Sequence, residues 1–377
     1  MTAIEETLPF DSAWLRNFRR KLRAWYDRHA RELPWRGTRD PYAVWLSEIM
    51  LQQTQVETVK PYFERFLAAL PTIRALAEAE ERQVLRLWEG LGYYRRARQL
   101  HQAARQIVAV HDGRFPCDPQ AVQRLPGIGR YTAGAILSIA FDQRQPILEA
   151  NTVRVFSRLL AYDGQTTSSA GQKLLWAAAE AVLPAREVGR FNQALMELGS
   201  EVCRRPRAHG ARAPACEACP VAGLCHARQR GLQGEIPRPK PRPQFEDVAE
   251  AAVLVRRRGA PGTPGRVLLI QWPEGRRWAG LWDFPRFALK GEKEAEIHRA
   301  LVDNVRRLTG VTISPGEHFK TLHHGVTRFR ITLDCYEAEY VSHNGGGAEQ
   351  LVQKWVRPAE LEHYPLSSTG RKLAGLV

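Results

Sequence analysis

Nothing in this 377-residue chain approaches the roughly 20 consecutive apolar residues that a helix needs to cross a bilayer, so no membrane span is expected. The start, MTAIEETLPF, carries two glutamates and lacks the basic and apolar regions of a secretory signal, which predicts a reducing, cytoplasmic setting. No internal repeat is present, which argues against a solenoid or propeller. Cysteine is scarce, and in a reducing compartment the six that occur are expected as metal ligands or core thiols rather than disulfides. Acid is in deficit: 40 Asp and Glu face 55 Lys and Arg, a net charge of +15 that favours a polyanionic partner such as nucleic acid. What is there supports packed cores, since 44% of residues are hydrophobic and 25% charged, and the length suits two domains.

Up to about residue 230 the apolar residues recur at helical spacing, interrupted by Pro-Gly and Asp-Gly stops, which predicts an all-helical domain over 1–230. Residues 231–247, GLQGEIPRPKPRPQFED, alternate four prolines with basic residues and are expected to be an extended linker. Beyond it, AAVLVRRR, RVLLIQW and FRITLDCYEAEY predict strands and 292–308 a helix, so 248–377 is expected to be α+β, with GTPG and NGGG as loops. Residues 204–243 hold nine Lys or Arg against two acids, either a solvated linker or an arm that faces DNA.

Three local patterns carry chemistry. Asp40-Pro41 predicts a capped helix start for YAVWLSEIMLQQTQV, in which Glu48 is flanked by Leu46, Ile49, Met50 and Leu51. A carboxyl in such surroundings would be desolvated, kept neutral and able to donate a proton, though periodicity alone favours a Glu on the wet face. LPGIGRYTAGAI joins a glycine turn to a helix of small residues, and its spacing resembles the helix-hairpin-helix of DNA-repair proteins. Gly127, Gly129 and Arg130 are the candidate contacts to the DNA backbone, an ordinary turn being the alternative. Cys203, Cys216, Cys219 and Cys225, spaced C-x12-C-x2-C-x5-C, can close around one centre, a [4Fe-4S] cluster or a zinc ion held by all four thiolates.

Taken in order, LPWR, WLSEIMLQQTQV, LGYYRRAR, LPGIGRYTAGAI, ILEANTVRV, FNQALMELG and the cysteines resemble the MutY-type adenine DNA glycosylases, from about Leu33 to Cys225 and more loosely beyond. The resemblance implies a mainly α helix-hairpin-helix glycosylase domain with a cysteine cluster loop, followed by an α+β Nudix-like domain that recognises 8-oxoguanine. It implies removal of adenine mispaired with 8-oxoguanine or guanine in duplex DNA, with Glu48 as the general acid. It places Tyr131 and Asn151 beside the catalytic carboxylates, Gln52 and Tyr93 as wedges into the duplex, and Arg36 and Gln193 in the pocket for the extruded adenine. It favours [4Fe-4S] over zinc, and a monomer associated with DNA.

The chain departs from that family in four places. Where the family has aspartate to stabilise the oxocarbenium ion, ILEAN offers Glu149, one methylene longer. The first cysteine spacing is twelve rather than the family's six. RWAGLWDFPRF resembles the Nudix fold, yet HRALVDNVRRLTG lacks the glutamates of the hydrolase box, so pyrophosphatase activity is not expected. Where the family often has a Phe-Ser-His loop touching the lesion, Val326, Thr327 and Arg328 occur; Thr327 keeps a hydroxyl and Arg328 can bond a purine edge, unless these are ordinary strand residues. Two rivals stand beside this reading. An endonuclease III-type lyase needs a lysine where Tyr131 stands, and a non-catalytic iron-sulfur damage sensor would not need both Glu48 and a second carboxylate.

Overall fold

The computed structural model describes residues 8–205, 214–238, 244–259, 263–289, 293–343, 345, 347–349 and 351–377. The basic stretches 206–213 and 239–243, and parts of the GTPG and NGGG loops, lie outside the described residues. In chain order the helices are α1 (Ser12–His29), α2 (Pro41–Leu51), α3 (Val56–Ala69), α4 (Ile73–Glu78), α5 (Glu81–Trp88), α6 (Arg95–His111) and α7 (Pro119–Gln123). Then come α8 (Arg130–Phe141), α9 (Ala150–Leu159), α10 (Ser169–Ala181), α11 (Val188–Glu197), α12 (His226–Gln229), α13 (Glu294–Thr309) and α14 (Ser368–Ala374). The strands are β1 (Glu246–Arg257), β2 (Arg266–Gln271), β3 (Trp282–Asp283), β4 (Arg286–Ala288), β5 (Val311–Val326), β6 (Phe329–His343) and β7 (Gln353–Val356).

The chain divides into two compact units, Met1–Glu78 with Gln99–Pro241, and Ala79–Arg98 with Arg242–Val377. The second unit thus takes in α5 and the first turn of α6, which a contiguous division at about residue 230 does not anticipate. Nothing in the composition of ERQVLRLW distinguishes it from the other helices of the N-terminal region, because membership is decided by which surface its apolar face covers.

The first unit is helical. Phe18 and Leu22 of α1, Phe156 of α9 and Phe191 of α11 are fully buried in one core. α2 is the innermost helix: Tyr42 to Met50 are buried without interruption, so it has no wet face. Its start is the predicted one, with the Asp40 carboxylate accepting the N–H groups of Tyr42 and Ala43. Its end is earlier than the apolar pattern suggests: the helix stops at Leu51, and Gln53 adopts a left-handed φ of 59°. α11 does not stop at Glu197 but widens into a π-helical turn, Leu198–Val202, closed by Cys203 N–H donating to Leu198 O at 2.8 Å.

The second unit is built on a seven-stranded sheet of order β3-β2-β1-β6-β5, with β4 paired to β1 and β7 to β2. Only β1 and β6 run parallel among these pairings. Alternate residues of β1 point to opposite faces, and both faces are covered. Ala251, Val253 and Val255 pack with Leu301, Val305 and Leu308 of α13. Ala252 and Leu254 pack with Leu361, Leu366 and Leu373 at the C-terminal end. This is the mixed α+β architecture expected for the region.

Candidate active site

Glu48 sits on α2 with 6% exposure, in the wall of a cavity of about 490 Å³. Burial, opposed by the Tyr131 hydroxyl and reinforced by the charge of Glu149, pushes its carboxyl up to about 7. A group with that value is protonated in a large fraction of molecules at neutral pH and can deliver its proton there. Tyr131, in the first turn of α8, donates its hydroxyl to Glu48 Oε2 at 2.5 Å, and its oxygen also lies 3.5 Å from Met196 Sδ. Burial, then the two nearby carboxylates, raise the Tyr131 phenol well above its ordinary value, so it stays a donor.

Glu149 enters the same cavity from the N-terminus of α9, and its environment differs in kind. Its carboxylate accepts the backbone N–H groups of Asn151 (2.8 Å) and Thr152 (2.9 Å), while Thr152 Oγ1 accepts its own N–H in return. The extra methylene of glutamate is taken up by this backward fold onto its own helix. Burial raises the carboxyl from its ordinary value, against the two backbone donors and Arg154, which favour the anion. Thus one carboxyl receives a single phenol and the other a helix N-terminus, an asymmetry suited to one acid and one anion.

Asn151 is fixed from behind, where Arg154 donates to Asn151 Oδ1 (2.8 Å), Gly199 O (2.6 Å) and Cys203 O (2.5 Å). A Cβ at Gly199 would lie 2.6 Å from the Asn151 Cβ, so only glycine lets the π turn approach this closely.

The remaining wall combines Leu33, Trp35 and Leu51 with polar groups. Arg36 donates to Glu197 Oε2 at 2.6 Å, and Gln193 Oε1 accepts from Tyr26 at 3.1 Å. Two residues that the sequence reading passes over join them. Arg31 makes a two-pronged pair with Glu197 at 2.8 and 2.7 Å, and Glu197 is completely buried. Burial alone would raise the Glu197 carboxyl, but the Arg31 and then the Arg36 guanidinium hold it down to about 2. The signal was available: in FNQALMELG, Glu197 lies one helical turn after Gln193 and shares its face.

Gln52 also lines the cavity, as the C-cap of α2, with Nε2 3.4 Å from Thr132 Oγ1. Gly127 has a φ of +77° and Gly129 begins α8 with no side-chain cap, while the Arg130 guanidinium lies 3.8 Å from the Trp176 ring centroid. In the second unit, Tyr93 is 50% exposed. There Thr327 and Arg328 form the exposed tip of the β5–β6 hairpin rather than strand, with Thr327 at a φ of +54° and Arg328 3.7 Å from Glu246.

Cys203, Cys216, Cys219 and Cys225 line one small cavity with Arg158, whose guanidinium donates to Cys203 Sγ at 3.1 Å. Burial, and after it the neighbouring thiolates, push the Cys219 thiol up to about 12, so four thiolates at this site need positive charge between them. Among the described residues no three Cys, His, Asp or Glu side chains are arranged to hold a single metal ion. Four cysteine thiols lining one cavity are the donor set that either an iron-sulfur cluster or a zinc ion would need. Among the described residues no helix is long and apolar enough to cross a membrane.

Comparison with known proteins places this geometry. Residues 46–180, which carry Glu48, Tyr131, Glu149 and Asn151, match the HhH-GPD superfamily base excision DNA repair protein model, and residues 252–375 match the NUDIX domain. The structure of a thermostable thymine-DNA glycosylase is similar, with a TM-score of 0.51 and 29% identity over 57% of this chain and 97% of that one. The adenine DNA glycosylase of Rattus norvegicus is 34% identical over 96% of this chain and 78% of its own length. That of Mus musculus is 36% identical over 86% and 71%. A likeness of that extent, running through both domains, makes the chain a member of the adenine DNA glycosylase family.

Proposed function

We propose that the chain hydrolyses the N-glycosidic bond of adenine mispaired with 8-oxoguanine or guanine in duplex DNA, acting as a monomeric, DNA-associated cytoplasmic repair enzyme. The observation that carries this reading is the buried Glu48, about half protonated at pH 7, beside Tyr131 in a cavity that Glu149 also enters. A base inside a duplex is out of reach, so the adenine must be flipped out, with Gln52 and Tyr93 filling the gap it leaves. Arg36 and Gln193, with Arg31 and Glu197, hold it in the pocket. Glu48 protonates the adenine and makes it a tolerable leaving group. Glu149, as the anion, stabilises the positive charge that develops at C1′, or traps it, as the second carboxylate of a glycosidase does. Tyr131 and Asn151 keep the two carboxyls in register.

In the same reading 1–230 removes the base and 248–377 recognises the lesion, with Thr327 and Arg328 at the recognising tip; the linker is shorter than 231–247, since Ile236 is buried and accepts from Arg158, and Glu246 and Asp247 already pair in β1. Gly127, Gly129 and the N-terminus of α8 grip the DNA backbone together with Arg130. Cys203, Cys216, Cys219 and Cys225 hold a [4Fe-4S] cluster, which when bound would tie the backbone around the four thiols together. A phenol at position 131 forms no imine, which favours hydrolysis without strand cleavage.

The test is single-turnover base release from duplexes with defined mismatches, analysed with and without alkali. Alkali-dependent cleavage at the adenine opposite 8-oxoguanine, faster than opposite guanine, is expected. Strand breaks without alkali would assign the chain to the lyases instead, and binding with no base release would make it a sensor.

A further inference from the structure

Tyr93 ends a loop whose backbone is costly to hold. Gly90, Gly92 and Tyr93 have φ of 102°, 69° and 49°, and of the three only the tyrosine carries the Cβ that the left-handed region penalises. Such a conformation persists where the surroundings over-determine it. On one side, the Gly92 carbonyl accepts from Trp88 Nε1 (3.2 Å) and from the Arg96 guanidinium (3.1 Å), which also lies 5.6 Å from the Tyr93 ring centroid.

On the other side stands Glu89, at the end of α5, with its side chain 7% exposed. Its carboxylate receives Arg371 Nε at 2.5 Å and a second Arg371 nitrogen at 3.0 Å, together with the backbone N–H of Leu366 at 3.2 Å. Arg371 is itself fixed, donating to Leu361 O (2.9 Å) and Tyr364 O (2.6 Å). A two-pronged, charge-assisted pair of this kind sets direction as well as distance. All of these residues belong to the second unit.

We propose that Glu89 and Arg371 are positioning residues for Tyr93: α14, at the far end of the chain, holds the loop that presents this ring to a mismatch. The inference rests on the reading of Tyr93 as a wedge into the duplex. Arg86 also donates to Glu89, at 3.4 Å, but without Arg371 the buried carboxylate would lose its two-pronged anchor, and turning out toward water would relieve its burial. That movement frees the loop four residues before Tyr93.

The experiment uses the full chain and separates grip from chemistry. Dissociation constants are measured for a duplex with a non-cleavable adenine analogue in the mismatch and for a matched duplex, and single-turnover base release is measured at saturating enzyme. Variants are Tyr93→Ala, Arg371→Ala, Arg371→Lys, Glu89→Gln and the Tyr93→Ala/Arg371→Ala double. Arg371→Ala should lose about ten-fold in preference for the mismatch, within the range of one lost aromatic stack, and lose less in rate. The double variant should bind no worse than Tyr93→Ala alone, and Arg371→Lys should recover part of the preference. Additive losses would overturn the positioning role, as would an intact preference in Arg371→Ala where Tyr93→Ala loses it. An intact preference in Tyr93→Ala would end the wedge reading and this inference with it. If Arg371→Ala does not fold, Glu89→Gln, which keeps the shape of the side chain, is read against the same outcomes.

Discussion

In the proposed reaction Glu48 supplies the acid, and in the fold it is costly. Its carboxyl is raised above the unfolded value, so its contribution to stability is fully present below about pH 4.5 and is lost as pH rises through about 7. Ionising it in place costs on the order of 3 kcal/mol. Glu48→Gln is therefore expected to melt higher than the parent above pH 7 while base release falls by about a hundred- to ten-thousand-fold. A thermal unfolding series from pH 5 to 9 beside single-turnover rates checks both halves. In the parent, base release should decline as pH climbs through 7. Glu149 carries the complementary expectation, because a helix N-terminus rather than a lone phenol faces it. Glu149→Asp, still able to cap α9, should remain active. Glu149→Gln should bind the mismatch but lose most of the chemical step, and a Gln variant releasing adenine as fast as the parent would remove the carboxylate from the mechanism. Periodicity favoured a wet Glu48, and only the family resemblance reversed that reading. The helix around it is buried on every side, and an apolar pattern without a polar face leaves no phase from which to read orientation.

At the scale of elements, punctuation was legible and interruption was not. Asp40-Pro41 marked the start of α2 because capping chemistry is local, whereas the stop at Leu51 depends on Gln53 adopting a left-handed backbone that no glycine announces. Thr327 at the β5–β6 tip hides its turn for the same reason. The strands of the second unit were readable from their β-branched runs, but β3 and β4, two and three residues long, fall below what alternation can register. The cysteine spacing was readable as a metal site and insufficient to name the metal. The [4Fe-4S] reading predicts about four irons per chain and a yellow-brown protein. Metal analysis that returns stoichiometric zinc without iron would remove the cluster and leave the helical framework in place.

For the whole molecule, the division into units changes what a truncation means. A chain ended after Arg230 keeps every wall of the Glu48 cavity but leaves Ala79–Arg98 without its partners from Arg242–Val377. It is expected to retain some base release, to lose discrimination between 8-oxoguanine and guanine opposite the adenine, and to be cut by protease within 79–98, where the full chain resists. Unchanged discrimination in a folded truncation would place lesion recognition elsewhere. Neither the composition nor the motifs of the N-terminal region reveal this exchange of a segment between units, because it is a property of packing. The π turn, finally, rations where the chain can change length. A π turn carries one residue more than an α-helical turn, so one residue removed between Leu198 and Val202 would let it tighten to α-helical bonding and draw the Gly199 carbonyl, bulged toward Asn151, away from Arg154. A single codon lost within that turn would thus unpick, at one stroke, the bracing behind Asn151 and the carbonyl that Arg154 grips beside the first cysteine.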